Sequence, residues 1–397
     1  MKSIFGYGII AKAISSKIQA GTWNIYDDAF LKASKDEFNN NLLPSSMFEP
    51  LKSELEIISP AISPSNALAK KALHLTSEID YFYDSLGLSI WVSGTNGKTT
   101  TTQMIAYLLN IQAGGNIGVA LCNMDLKAKL IVLEMSSFAL HYTKKARPEI
   151  YVLLPILDDH ISWHGSFKEY EKAKLELIFR MNKTASCIVP KKYEEYLSKA
   201  QCKKYFYENE LDIAKQFNID INKIKHKAPF LLDALLALAC ERIITSKLSI
   251  EKLNSFVIDK HKCQEIYDKK NRLWVDDSKA TNISAALACI NSYKDKKIHL
   301  IAGGDEKGQD LREFFKYLAK DTKLYLIGKK DFSALAKECS FNAIRCNLKE
   351  AVNLIYKDLK EDEIAILSPA CASLDEFSSY KQRGELFIQY MQENDNN

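Results

Sequence analysis

The chain has 397 residues, 47% of them hydrophobic and 26% charged, with 54 basic side chains against 50 acidic ones and a formal net charge of +4. These values exclude a disordered or fibrous chain, and the near balance of charge leaves no broad field to hold a nucleic-acid backbone or an anionic membrane. The length exceeds what one hydrophobic core usually serves, so two or three domains are expected.

Nine cysteines are scattered without a CxxC pair. That pattern argues against structural zinc and a disulfide framework, and fits a reducing cytoplasm. From Met1 to Ile10 the chain reads as a first strand and turn, because Lys12 and Lys17 interrupt any leader-like apolar run. No apolar run approaches the roughly 20 residues of a membrane-spanning helix. The longest, at 229–240, carries Asp233.

In chain order, a Pro- and Ser-rich stretch at 59–64 reads as a loop between a strand and a helix. Short apolar runs at 89–92, 130–133, 150–154, 299–302 and 323–327 alternate with helical patterns, which predicts βαβ units and an α/β fold with mostly parallel sheets. Boundaries are expected near Leu86-Gly87 and near 257–261, followed by a hairpin-like stretch at 265–276. The resulting domains are 1–87, 88–259 and 260–397.

The strongest local signal follows the run at 89–92. Gly94-Thr95-Asn96-Gly97-Lys98-Thr99 leads through Thr100 into a helical pattern. Its glycines let backbone N–H groups approach phosphate oxygens, the helix start favours an anion, Lys98 supplies a point charge and Thr99 a hydroxyl for Mg²⁺. This is the short form of a phosphate loop and predicts ATP or GTP binding. Glu134 ends the next apolar run, where it could complete a magnesium site with Thr99 or cap a helix.

After the third run come Asp158-Asp159-His160, with His164 four residues on. The cluster reads equally as a metal or phosphate site and as a polar loop capping a helix. Zinc is disfavoured, since cysteine ligands and an HExxH helix are both missing. Three polar turns each follow an apolar strand: 276–282, 303–308 and 367–373. The first, with Asp277 and Lys279, suits an anion or ribose contact, or a helix cap.

Taken in order, these blocks resemble the Mur ligases, the ADP-forming amino-acid ligases of peptidoglycan synthesis. The resemblance rests on GTNGKT, LEMSSF, DDH with KAKLELI, and the series DDSKATN, GGDEKG and LSPACASLDEFSSYKQRG. The DSKATN and SPACAS blocks are most similar to the D-glutamate-adding branch. The matches extend over most of residues 89–387.

The resemblance implies a Rossmann-like amino-terminal domain for the UDP substrate, a central P-loop ATPase domain and a carboxy-terminal Rossmann-like domain that brings the amino acid. It implies amide formation between UDP-N-acetylmuramoyl-L-alanine and D-glutamate through an acyl phosphate, with ATP as co-substrate and Mg²⁺ at two sites, in a monomeric cytoplasmic enzyme. Lys98, His160 and Lys174 would serve catalysis. Thr99, Glu134, His160 and Lys174 would serve the metals, with Lys174 carbamylated. Read from its neighbours alone, Lys174 is an ordinary solvated helix lysine.

Asp233, Lys262, Asp277 and Lys279 would join the phosphate loop around ATP, with His261 beside Lys262 at a domain junction. Ser59, Asn116 and Ser136 would meet the muramoyl substrate. Thr281, Lys307, Ser373, Leu374 and Tyr380 would meet the glutamate, whose two carboxylates call for a cation such as Lys307. The sequence departs from the family at 229–233, where Asp233 stands in place of a second asparagine, and at Ser59-Pro60-Ala61. Alternatives are another ligase of the same family, a folylpolyglutamate-type ligase, or a nucleotide-dependent switch whose ATP turnover needs neither amino acid nor muramoyl nucleotide.

Overall fold

The computed structural model describes residues 1–18 and 20–396 and contains three six-stranded sheets in an α/β arrangement. The first runs Ser34–Lys35, Asn41–Pro44, Trp23–Asp27, Lys2–Phe5, Leu55–Ile58, Leu75–Thr76 in spatial order. The second runs Lys203–Tyr207, Ser186–Pro190, Ile150–Leu153, Leu88–Ser93, Leu130–Glu134, Gln112–Gly115. The third runs Gln264–Tyr267, Leu273–Asp276, Ile364–Leu367, Ile298–Gly303, Lys323–Ile327, Ile344–Arg345. Pairing is parallel except for Ser34–Lys35 against Asn41–Pro44 and Gln264–Tyr267 against Leu273–Asp276.

Strands buried on both faces need apolar residues at successive positions, and side-chain alternation then divides them between two cores. In the first sheet Ile4, Ile25 and Ile57 enter one core while their neighbours Phe5, Tyr26 and Ile58 enter the other. In the third, Val275, Leu300, Leu326 and Ile366 lie on one face, and Trp274, Ile301, Tyr325 and Leu367 on the other. The apolar runs of the sequence are therefore strands. The hairpin-like stretch is the antiparallel pair that edges the third sheet.

The chain forms two compact units, one of residues Met1–His226 with Phe230–Phe256, the other of Lys227–Pro229 with Val257–Asn397. The first unit holds the first two sheets. They are joined where Asp80, in the helix Glu78–Phe82, accepts from the backbone N–H groups of Lys144, Lys145 and Ala146, and where the Tyr142 hydroxyl donates to the Ile62 carbonyl at 2.8 Å. The loop at 59–64 does connect a strand, Leu55–Ile58, to a helix, Ala67–Lys71. Among the described residues no helix is long and apolar enough to cross a membrane.

Candidate functional site

Parallel register carries the ends of strands Leu88–Ser93, Leu130–Glu134 and Ile150–Leu153 to one edge of the second sheet, with Val92 beside Glu134 and Ser93 beside Leu153. Ligands of open α/β sheets collect at this carboxyl edge. The loop from Gly94 to Gly97 turns there into the helix Lys98–Leu109. Gly94 has φ +141°, and a Cβ on it would lie 2.5 Å from Leu154 Cβ; Gly97 has φ +83°, and its Cβ would lie 2.5 Å from Asp233 Oδ1. Both positions need glycine for backbone conformation and close approach together.

Buried Thr95 anchors the loop, its hydroxyl bonded to the Leu157 backbone and to the Tyr170 hydroxyl at 3.0 Å. Lys98 Nζ donates to the Thr95 carbonyl at 2.7 Å, and Asn96 stands half-buried between them. Beneath the loop, buried Asp233 accepts from Thr101 Oγ1 at 2.7 Å, next to buried Thr100. Asp233 therefore supports the phosphate loop from the start of the helix Leu231–Thr245.

Thr99 Oγ1 donates to Glu134 Oε2 at 2.7 Å, and exposed Asn116 donates to Glu134 Oε1 at 2.9 Å. Glu134 is buried, so the two donors fix its carboxylate beside the phosphate loop. Ser136 caps the helix Ser137–Tyr142 through the Ala139 N–H. Ser59 lies elsewhere in the same unit, just past the strand Leu55–Ile58 of the first sheet.

Lys174 is the clearest departure from the reading of its neighbours. It is 1% exposed and not solvated at all. The helix Phe167–Leu175 turns it toward the phosphate loop, where Nζ donates to Gly94 O at 3.0 Å and Ser93 Oγ at 3.2 Å, over the Tyr170 ring. Burial, reinforced by the nearby charge of Lys98, holds this amine well below the ordinary lysine range, while Asp159 and Glu134 pull the other way. Burial lowers Lys98 too, against the same two carboxylates.

His160 and His164 part company. His160 is exposed, 3.5 Å from Asp159 and near the Tyr170 ring. His164 is buried, bonded to Ser137 Oγ at 2.9 Å and kept neutral by burial, its pKa pushed down to about 3. Tyr170 was not singled out from sequence, although its place four residues before Lys174 puts both on one helix face.

The second unit gathers the other sequence-derived candidates. The turns 276–282, 303–308 and 367–373 follow adjacent parallel strands of the third sheet. Asp305 and Ala372 exchange backbone hydrogen bonds of 3.0 and 2.8 Å, tying two of the turns together. Buried Arg383 ties the third, donating to Ser278 Oγ, Ser278 O and Cys371 O at 3.0, 2.9 and 3.1 Å. The His261 ring meets Asp276 at 2.6 Å, and the Lys279 N–H donates to His261 O at 3.0 Å.

The turns thus form a pre-set polar edge. Lys279 Nζ lies 4.2 Å over the Tyr380 ring, and Lys262 Nζ donates to Asp259 at 3.0 Å. Lys307 and Leu374 are exposed, Thr281 is half-buried, and Ser373 is buried. Asp277 is buried and its carboxyl is lifted by burial to about 7, with Ser368 donating to it at 2.6 Å. Arg383 was missed from sequence as a site residue, although it lies within the quoted KQRG block.

The sequence matches the Mur ligase middle domain over residues 92–234 and the Mur ligase glutamate ligase domain over residues 263–371. It is 50% identical to the UDP-N-acetylmuramoylalanine--D-glutamate ligase of Campylobacter jejuni, covering 97% of this chain and 98% of that one. It is 42% identical to the enzyme of the same name from Helicobacter pylori, again over 97% and 98%. The fold is similar to that of the MurF ligase of Thermotoga maritima in complex with ADP, with a TM-score of 0.62, 15% identity and 99% of each chain covered.

Proposed function

Because this chain belongs to the Mur ligase family, we propose that it joins UDP-N-acetylmuramoyl-L-alanine to D-glutamate, releasing ADP and phosphate, as a monomer in cytoplasmic peptidoglycan precursor synthesis. A carboxylate is a poor electrophile. Transfer of the ATP γ-phosphoryl group to it gives an acyl phosphate, and the glutamate amine then displaces phosphate to form the amide.

The observation that carries this reading is the junction of phosphate loop, Thr99–Glu134 pair and buried Lys174 at one sheet edge. Lys98 and the start of its helix offset charge on the transferring phosphoryl group, so catalysis is largely positioning and electrostatics. The oxygen donors of Thr99 and Glu134 suit Mg²⁺, and His160 with a carbamylated Lys174 suits a second ion. When bound, these ions neutralise charge on the phosphoryl and carboxylate oxygens.

Carbamylation is addition of CO₂ to a neutral amine with loss of a proton, and the depressed pKa of Lys174 supplies that neutral amine. Asn116 orients Glu134, and Asn116, Ser136 and Ser59 would meet the muramoyl substrate. Asp233 acts on the nucleotide through the loop it supports. In the second unit Asp277, Lys279 and Lys262 serve the nucleotide, and Lys307, Thr281, Ser373, Leu374 and Tyr380 the amino acid.

The test is phosphate release by the purified chain with Mg-ATP and UDP-N-acetylmuramoyl-L-alanine, supplying D-glutamate, L-glutamate, L-lysine, meso-diaminopimelate or no amino acid. Release with D-glutamate alone supports the proposal. Release with a different amino acid moves the chain within its family, and release with none overturns ligation.

A further inference from the structure

One cluster in the second unit pairs Asp277 with two cysteines that the ligation chemistry does not use. Cys263 immediately precedes the edge strand Gln264–Tyr267, Asp277 follows the strand Leu273–Asp276, and Cys289 belongs to the helix Ile283–Asn291. One ligand atom from each, two sulfurs and a carboxylate oxygen, lie within 4.8 Å of one another. Cys289 and Asp277 are buried and Cys263 is half-buried.

The donors are already oriented. Asp277 Oδ1 faces Cys263, accepting from its backbone N–H at 3.2 Å and lying 3.6 Å from its Sγ. Cys263 holds this position with φ +44°, a left-handed conformation uncommon for a non-glycine residue. Around a tetrahedral zinc ion the edges between sulfur and oxygen ligands measure about 3.5 Å and those between two sulfurs about 3.8 Å. One edge therefore matches as found, and the others close with movements on the order of an ångström.

We propose that Cys263, Asp277 and Cys289 form a binding site for a thiophilic divalent ion of the Zn²⁺ class, with water in the fourth position. Binding displaces the thiol protons of Cys263 and Cys289, and the proton of the Asp277 carboxyl where it is held, to solvent and involves no change of oxidation state. Two thiolates and a carboxylate around a divalent ion leave one negative charge, and the Arg383 guanidinium is close enough to interact with Asp277. Soft sulfur ligands discriminate against Mg²⁺, so the site is chemically separate from the magnesium proposed at Thr99 and Glu134. An ion here would also pin Asp277, which rests on the reading above for its consequence: Zn²⁺ would then compete with ATP.

The experiment is titration of the reduced full-length chain with Co²⁺, followed by visible and near-ultraviolet absorption. Expected are a thiolate-to-cobalt charge-transfer band and tetrahedral ligand-field bands that saturate at about one equivalent, persist in excess Mg²⁺ and vanish when Zn²⁺ is added. Cys263→Ala and Cys289→Ala should each abolish the charge-transfer band, whereas Cys346→Ala should keep it. Absence of a thiolate band in the wild-type chain overturns the proposal whatever the variants do, and so does a band that survives in both single variants. If the band is present and Zn²⁺ leaves the KM for ATP unchanged, the metal site stands and the nucleotide role of Asp277 falls.

Discussion

Glu78 opens the helix Glu78–Phe82 in the first unit, buried, with Oε1 accepting from the Cys122 N–H at 3.3 Å. Burial lifts its carboxyl to about 7, against roughly 4.3 for an unperturbed glutamate. Between those values the folded chain holds a proton that the unfolded chain has released. The stability contributed by the neutral carboxyl is therefore complete below about pH 4.3 and is lost as pH rises through about 7. At 1.36 kcal/mol per tenfold change the loss is on the order of 3 kcal/mol, after a small offset from the favourable helix N-terminus.

Glu78→Gln keeps a carbonyl to accept from Cys122 and cannot ionise. The variant should match the wild type near about pH 4.5 and exceed it near about pH 8, raising the melting transition of the first unit by roughly 6–10 °C. Differential scanning calorimetry at the two pH values measures this. An equal shift at both, or a loss of stability near the upper value, would refute burial as the cause.

Lys174→Ala should lower turnover on the order of 10²–10³-fold, with partial recovery when a short-chain carboxylic acid is supplied; unchanged turnover removes the carbamate. Thr101→Val takes away a hydrogen bond to buried Asp233, and should cost about 1–3 kcal/mol while raising the KM for ATP in the phosphate-release assay. Wild-type values for both would show that Asp233 does not support the loop. Arg383→Met removes three buried hydrogen bonds, and should destabilise the second unit by about 3–5 kcal/mol. Amide hydrogen exchange should show the loss in the three turns of the third sheet and leave the first unit unchanged.

The α/β class, the three central strands of the second sheet, most strands of the third and the phosphate loop were legible in the sequence because each is written in contiguous residues. Apolar runs such as 89–92 encode buried strands directly, and Gly94 and Gly97 mark backbone conformations that side chains would block. The hairpin at 264–276 was readable for the same local reason. Tertiary structure decided the state of Lys174: a lysine on a helix is solvated until strand residue Ser93 and the Gly94 carbonyl close over it.

Asp233 stands in the sequence only as a replacement for an asparagine, and packing sets it under the loop against Thr101. The scattered cysteines argued against a metal framework, yet the fold brings Cys263 and Cys289 to Asp277 from three separate elements. Propensity and turn chemistry act over a few neighbouring residues, so sequence alone determined the elements and the loop. Desolvation and the convergence of charges depend on atoms distant in the chain, and these were decided when the sheets formed and their faces were covered.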